Sequence, residues 1–285
     1  MKAPAFDYVR PDSLAEALTL LAAHGEAARP VAGGQSLLPA MNLRLASPSL
    51  LIDIGRLAAL RGVTLQGGVL RLGALTRHAE LLSSPEIGTA APLLARAAAQ
   101  IAHPAIRSRG TIGGSLAHAD PAAELPACLL ALGGRVVAQS AAGMRVIGAD
   151  DFFAGLFATA LRADELIVAV EIDAPRVGAV TGFGELTRRS GDYAIIGLAA
   201  QGRVEGDVWT ALRLAFFSAG ATPVLAPRTA SALMREGVEA AVRTLGEDLQ
   251  PPDDLQASGA TRLHLARVLL RRVVGEMRPG LERAA

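Results

Sequence analysis

The sequence predicts an α+β protein built as three consecutive units, and three observations carry that reading. Apolar residues switch repeatedly between helical spacing and strand-like runs. Two glycine-bearing turns, Gly67-Gly68 and Ala141-Ala142-Gly143, are flanked by short alternating segments of the kind that pair as hairpins. After Asp173-Ala174-Pro175 the pattern changes to three strand-like runs followed by three helical ones.

Residues 1–57 form the first unit. Ser13-Leu14-Ala15-Glu16 has the spacing of a capping box. Leu14, Ala17, Leu18 and Leu21 then recur at helical spacing, and Gly25 is placed to close the helix. A short strand at 29–32 leads into Gly33-Gly34, and Ser36 is placed to cap a second helical stretch through Met41. Pro48 stops that stretch, and Leu50-Leu51-Ile52-Asp53-Ile54 reads as a buried strand.

Residues 58–175 form the second unit. Strands at 63–66 and 69–72 flank Gly67-Gly68, and helical patterns follow at 76–82 and 93–101. A second glycine stretch at 110–120 precedes a short Ala/Leu helix running through Leu132. A hairpin pairs 135–140 with 144–147; Phe152, Phe153, Leu156 and Phe157 suggest an apolar knot, and 165–172 is a strand. Residues 176–285 form the last unit, a three-stranded antiparallel sheet from 183–188, 194–203 and 211–219. Helices follow at 223–235, 237–245 and 261–277, the last with an apolar stripe of Leu263, Ala266, Leu270 and Val273.

Composition excludes several functions. With 285 residues, 51% hydrophobic, 19% charged and a net charge of +1, the chain can bury a large core and carries no charge excess suited to nucleic acid. No apolar run is long enough to span a bilayer, and the first residues lack a secretory pattern, so the cytoplasm is the expected location. Cys128 is the only cysteine, which excludes an internal disulfide, a four-cysteine iron–sulfur cluster and a Cys-rich zinc site. Lys2 is the only lysine, which removes a Walker-type phosphate loop and a Schiff-base lysine from the body of the chain. No G-x-G-x-x-G follows a strand, and His103 and His264 belong to no ligand-spaced set. No catalytic residue and no metal ligand is identified.

What remains is the pair of glycine stretches, Val31-Ala32-Gly33-Gly34-Gln35-Ser36-Leu37-Leu38 and Gly110-Thr111-Ile112-Gly113-Gly114-Ser115-Leu116-Ala117-His118-Ala119-Asp120. Paired glycines permit positive φ and let a ligand approach bare N–H groups, and an adjacent hydroxyl suits phosphate oxygens. Either stretch alone fits an ordinary turn. Together they could hold two neighbouring phosphates, as in a dinucleotide.

The run Ala32-Gly33-Gly34-Gln35-Ser36-Leu37-Leu38-Pro39, with Arg44-Leu45, Pro48 and Leu51-Ile52-Asp53-Ile54, resembles the opening of the FAD-binding medium subunits of molybdenum hydroxylases, the xanthine dehydrogenase/carbon monoxide dehydrogenase family. Arg109 through Glu124 resembles that family's second flavin loop. Asp151-Phe152-Phe153, Asp164-Glu165-Leu166-Ile167 and Arg188-Arg189-Ser190-Gly191-Asp192-Tyr193-Ala194 match in the expected order. The resemblance implies a two-subdomain FAD-binding (PCMH-type) fold with a smaller C-terminal domain.

Carried over by position, Ala32, Gly33, Gly34, Gln35, Ser36 and Leu37, with Thr111, Gly113, Gly114 and Ser115, would contact the pyrophosphate and the neighbouring ribityl region. His118 and Asp120 would lie within reach of the flavin, and Glu124 would accept a ribose hydroxyl. Leu161, or Leu166 and Ile167, would border the adenine, and Tyr193 would screen the isoalloxazine face. Each also has a plainer reading: His118 as a structural histidine, Asp120 and Glu124 as caps of the helix after Pro121, Tyr193 as core filler. Two departures stand out. Ser115 replaces a frequent asparagine, and Glu185 stands where many members carry a lysine near the flavin, which leaves the flavin potential open.

By the same resemblance, the chain would be the FAD-carrying electron-transfer subunit of a heterotrimer that doubles into a dimer of heterotrimers. A small subunit would hold two [2Fe–2S] clusters, a large subunit would hold the molybdopterin cofactor, and an external acceptor would take the electrons. Two other readings stay open: a self-sufficient FAD-dependent oxidase, and a non-redox nucleotide-binding assembly module.

Overall fold

The computed structural model describes residues 2–277. At the N-terminal end lie β1 (Asp7–Val9), α1 (Leu14–His24), β2 (Ala28–Val31), α2 (Leu37–Asn42) and β3 (Leu50–Asp53). The three strands form a parallel sheet in the order β1-β3-β2. Leu50, Leu51 and Ile52 are all buried, as a central parallel strand covered on both faces requires. Ser13 Oγ accepts from Glu16 N at 3.1 Å and caps α1, which turns Ala17, Leu18 and Leu21 inward. Strand β1 is absent from the sequence-based expectation, because three half-exposed residues carry no readable period.

The middle of the chain contains β4 (Val63–Gln66), β5 (Val69–Gly73), α3 (His78–Ser83), α4 (Pro85–Ala90), α5 (Pro92–Gln100), α6 (Pro104–Arg107), α7 (Ile112–His118) and α8 (Glu124–Ala131). After them come β6 (Arg135–Ser140), β7 (Gly143–Gly148), α9 (Ala149–Phe152), β8 (Phe153–Gly155), β9 (Ala158–Thr159) and β10 (Leu166–Asp173). A five-stranded antiparallel sheet runs β4-β5-β10-β6-β7. The first hairpin turns through Gly67 and Gly68 at φ +58° and +77°, the conformation that a two-residue hairpin favours. Two expectations are corrected here. Gly113-Gly114 lies within the first turn of α7 rather than in a loop. Leu156 and Phe157 leave the supposed apolar knot: they are exposed at the β8–β9 turn, while Phe152 is buried.

The C-terminal part comprises β11 (Ala179–Leu186), β12 (Ile196–Glu205), β13 (Val208–Phe217), β14 (Val224–Leu225), α10 (Pro227–Glu236), α11 (Val238–Asp248) and α12 (Gly259–Met277). Its antiparallel sheet has four strands, β11-β12-β13-β14, where the sequence suggested three. Residues 224–225 pair with Ala215 and Phe216, so α10 begins at Pro227 and not at 223. A two-residue strand has no periodicity of its own to read.

Alternation along β12 and β13 divides this sheet between two cores. Ile196, Leu198, Ala200, Leu214 and Phe216 pack with α10–α12. Ala199, Ala215 and Phe217 instead join the core of the central sheet, where Phe217 stacks on Phe183 with ring centroids 5.8 Å apart. The C-terminal sheet is thereby welded to the middle of the molecule. A Cβ on Gly197 would lie 1.9 Å from Phe217 Cζ, so this weld needs glycine at that position. Gly197→Ala should displace Phe217 and lower stability by about 1–3 kcal/mol, as overpacked cores do, measured as a lower urea midpoint with an unchanged m-value.

Candidate functional site

The first glycine stretch leaves the end of β2, where Ile54 N donates to Val31 O at 3.0 Å. Beside it Asp53 accepts from Tyr8 Oη, from Arg10 Nε at 3.1 Å and, through its other oxygen, from Gly55 N at 2.9 Å. This fastens the ends of β1 and β3 under the turn. Gly34 has φ +70°, and Gln35 Nε2 donates to Gly33 O at 2.9 Å, folding the glutamine over the loop. Among the described residues, the amides of Gly33, Gly34, Gln35, Ser36 and Leu37 donate to no backbone carbonyl. Ser36 makes no side-chain cap to α2, contrary to expectation. Its hydroxyl and those amides together form an uncommitted donor surface.

The second stretch is different. Ile112 N donates to Thr76 O and Gly113 N to Ala74 O, both at 2.9 Å, and Ser115 N donates to Thr111 O at 3.0 Å. Gly114 N donates to Thr111 Oγ1 at 3.1 Å, the N-cap of α7. The backbone donors here are already used, so a ligand meets the Ser115 side chain and the exposed face of Gly114. The glycines serve close approach instead. A Cβ at 113 would lie 2.7 Å from Ala74 O, and one at 110 would lie 2.9 Å from the His78 ring. Burial lowers His78 to about 4, so the ring beneath this turn is neutral.

The two stretches touch. A Cβ on Gly33 would stand 2.2 Å from Arg109 O, and one on Gly114 would stand 4.0 Å from Ala32 Cβ. Ala32–Leu37 and the start of α7 therefore lie side by side, and Gly114 and Ser115 are the parts of the second stretch left open next to the first. Arg109 and Asp53, already within the two motifs, are joined there by Ala74, Thr76, His78, Tyr8 and Arg10, for which the sequence carries no signal because each acts through a tertiary contact.

Beyond α7 come acidic side chains. Asp120 Oδ1 accepts from Ala122 N at 2.9 Å, so that carboxylate does cap the turn before α8. Glu124 opens α8, and burial, reinforced by the charges of Glu185 and Asp120, pushes its carboxyl up to about 8. Burial raises Glu185, on β11, to about 7, and its Oε2 is buried with no hydrogen-bond partner. Cys128 is fully buried, and loss of water together with both glutamates holds its thiol well above the usual range, leaving it inert. Tyr193 is 60% exposed on the β11–β12 loop. Its phenol is raised by partial loss of water and by the charges of Asp120, Glu124 and Asp192.

The other expected residues are placed less uniformly. His118 lies at the end of α7 with its ring 5.0 Å from that of Phe157, a residue held at φ +52°. Leu161 is half-buried against the central core. Leu166 and Ile167 are each 4% exposed, pair with β6 and pack into different cores, so their side chains are closed to a ligand.

The raised carboxyls have a stability consequence. Glu124 and Glu185 bind protons more tightly in the folded chain than at their ordinary value of 4.5. Folding is therefore favoured by these groups at low pH and loses that contribution as pH rises through about 7 to 8. Between pH of about 5.5 and about 8.5 the urea midpoint of the wild type should fall, and that of Glu185→Gln should fall less.

Residues 4–175 match the family described as the FAD binding domain in molybdopterin dehydrogenase, and residues 182–277 match the CO dehydrogenase flavoprotein C-terminal domain. The 6-hydroxypseudooxynicotine dehydrogenase complex subunit alpha of Paenarthrobacter nicotinovorans is 40% identical, over 97% of this chain and 95% of that protein. Carbon monoxide dehydrogenase from Hydrogenophaga pseudoflava, solved without the Mo-pyranopterin moiety of its cofactor, superposes with a TM-score of 0.94 at 36% identity, covering 97% of this chain and 98% of that one. Quinoline 2-oxidoreductase from Pseudomonas putida 86 does so with a TM-score of 0.92 at 37% identity, covering 98% and 99%. On its sequence, its fold and the meeting of its two glycine stretches, the chain belongs to the family of FAD-binding medium subunits of the molybdenum hydroxylases.

Proposed function

We propose that the crevice between the two glycine stretches holds FAD, and that the chain is the electron-transfer subunit of a heterotrimeric molybdenum hydroxylase. The observation that supports this reading is the close approach of Gly33 to the Arg109 carbonyl, which brings the two segments together. Residues 1–57 and 58–175 are read as the two FAD-binding subdomains and 176–285 as the C-terminal domain.

The residues present fit such a cofactor. The open amides of Gly33–Leu37 and the Ser36 hydroxyl would hold the pyrophosphate. Gly113 and Gly114 let the second wall stand close, and Thr111 and Ser115 border the ribityl chain. Glu124, raised to about 8, is largely neutral near pH 7 and can both donate to and accept from a hydroxyl. Leu161, with the backbone of Leu166 and Ile167, would border the adenine. Tyr193 would cover the isoalloxazine face, with His118 and Asp120 at its margin.

When bound, FAD supplies the redox chemistry, and the protein supplies binding, orientation and electrostatics. Glu185, with its Oε2 buried and unpartnered, would put an acid and not a fixed positive charge beside the flavin, and a carboxyl there would disfavour an anionic ring. Electrons would arrive from [2Fe–2S] clusters on a small partner subunit and leave to an external acceptor, while substrate oxidation takes place on a large molybdopterin-binding subunit. A dimer of heterotrimers in the cytoplasm is the expected assembly. No helix among the described residues is long and apolar enough to cross a membrane.

Purified chain should bind FAD and show a yellow flavin spectrum that dithionite bleaches. Gly33→Ala should raise the Kd for FAD by about ten- to hundredfold, the effect of wedging a methyl group between two backbones, measured by fluorescence titration. A wild-type chain that takes up no flavin, or a native extract in which no cluster-bearing companion co-purifies, would overturn the proposal.

A further inference from the structure

Arg262, on α12, is 3% exposed, so its guanidinium is taken out of water and must be held by protein acceptors. Its guanidinium has three acceptors, two of them at the ends of β12 and β13. Nη1 donates to Ile195 O and, at 3.2 Å, to Ser218 O, while Nη2 donates to Asp254 Oδ2. Ser218, at φ +57°, extends the chain of contacts. Its amide donates to Pro121 O and its hydroxyl to Ala194 O, both at 2.7 Å. The buried arginine thus holds Ile195, two residues after Tyr193, directly, and through Ser218 is linked to Ala194 and to Pro121 in the turn between α7 and α8. Gly191, on the far side of the same loop, lies against Ala102, where a Cβ would be 2.9 Å from the carbonyl oxygen.

We propose that Arg262 is a positioning residue for the crevice: through Ile195 and Ser218 it holds the Tyr193 loop and the Pro121 turn at a fixed separation. The proposal rests on the reading of Tyr193 as a cofactor contact. A buried charge that bonds two loop carbonyls suits this task because the guanidinium is planar, always charged and rich in directed donors. Asp254 supplies the counter-charge, and its own carboxyl is pulled down to about 2 by the hydrogen bond from Arg262.

The test uses the full-length chain. With Tyr8→Phe in the background, Tyr193 is the sole remaining tyrosine. Its phenol, raised by partial loss of water and by the charges of Asp120, Glu124 and Asp192, can then be followed by absorbance in a rapid pH jump. Arg262→Met should return that phenol toward an ordinary value. With Tyr8 intact, the same change should raise the Kd for FAD by about tenfold, as loss of a charged hydrogen bond does. Arg262→Lys, which keeps the charge but can reach fewer acceptors, should recover part of both effects. A lowered thermal midpoint with the phenol and the Kd unchanged would mean that Arg262 is a structural anchor only, and the proposal fails. Should Arg262→Met not fold, Asp254→Asn at the half-exposed partner gives the same reading, and an unmoved phenol again overturns it. A phenol that shifts as expected in a chain that binds no FAD supports the positioning role and overturns the functional reading instead.

Discussion

The backbone of Gly33 approaches the carbonyl of Arg109 so closely that no side chain fits between them. Much of the architecture exists to make that approach possible. On one side, the parallel sheet delivers Ala32–Leu37 from the end of β2, held by Asp53 and its partners. On the other, the segment from Ala74 to His78 is laced to Gly110–Gly113 by backbone hydrogen bonds of 2.9 Å. Each wall is rigid for its own reasons, and the crevice is the place where the two are pressed together.

The walls differ in what they present. The first offers uncommitted amides, while the second has used its amides to hold itself in place. A diphosphate would thus be gripped mainly from one side and shaped from the other. Past the glycines the character changes, because burial makes ionisation of Glu124 and Glu185 costly. The C-terminal sheet supplies Glu185 and the loop that carries Tyr193. Its position is set by the division of β12 and β13 between two cores and by the bonds of Arg262 to Ile195 and Ser218.

Much of this was legible in the chain. The Ser13 cap, the Gly67-Gly68 hairpin, the strand at 166–173 and the long last helix all follow from local chemistry, and the structure has them nearly where the periodicity puts them. The misses share one cause. Strands β1 and β14 have three and two residues and exist only because neighbours pair with them. Gly113-Gly114 looked like a turn because glycine is a poor helix former, yet Thr111 caps it and Ala74 demands its small size. Leu156 and Phe157 looked like core by hydrophobicity alone, and the β8–β9 turn carries them outward.

The sequence by itself determined the family, the order of the elements, the two glycine stretches and the exclusion of cluster, disulfide and lysine chemistry, because these are matters of residue identity and short-range spacing. Only the tertiary structure decided that Gly33 meets Arg109, that the open amides lie on one wall alone, and that burial raises Glu124, Glu185 and Tyr193. Those facts depend on which distant backbones come within a few ångströms and on how much water they displace, and neither quantity is written in local sequence.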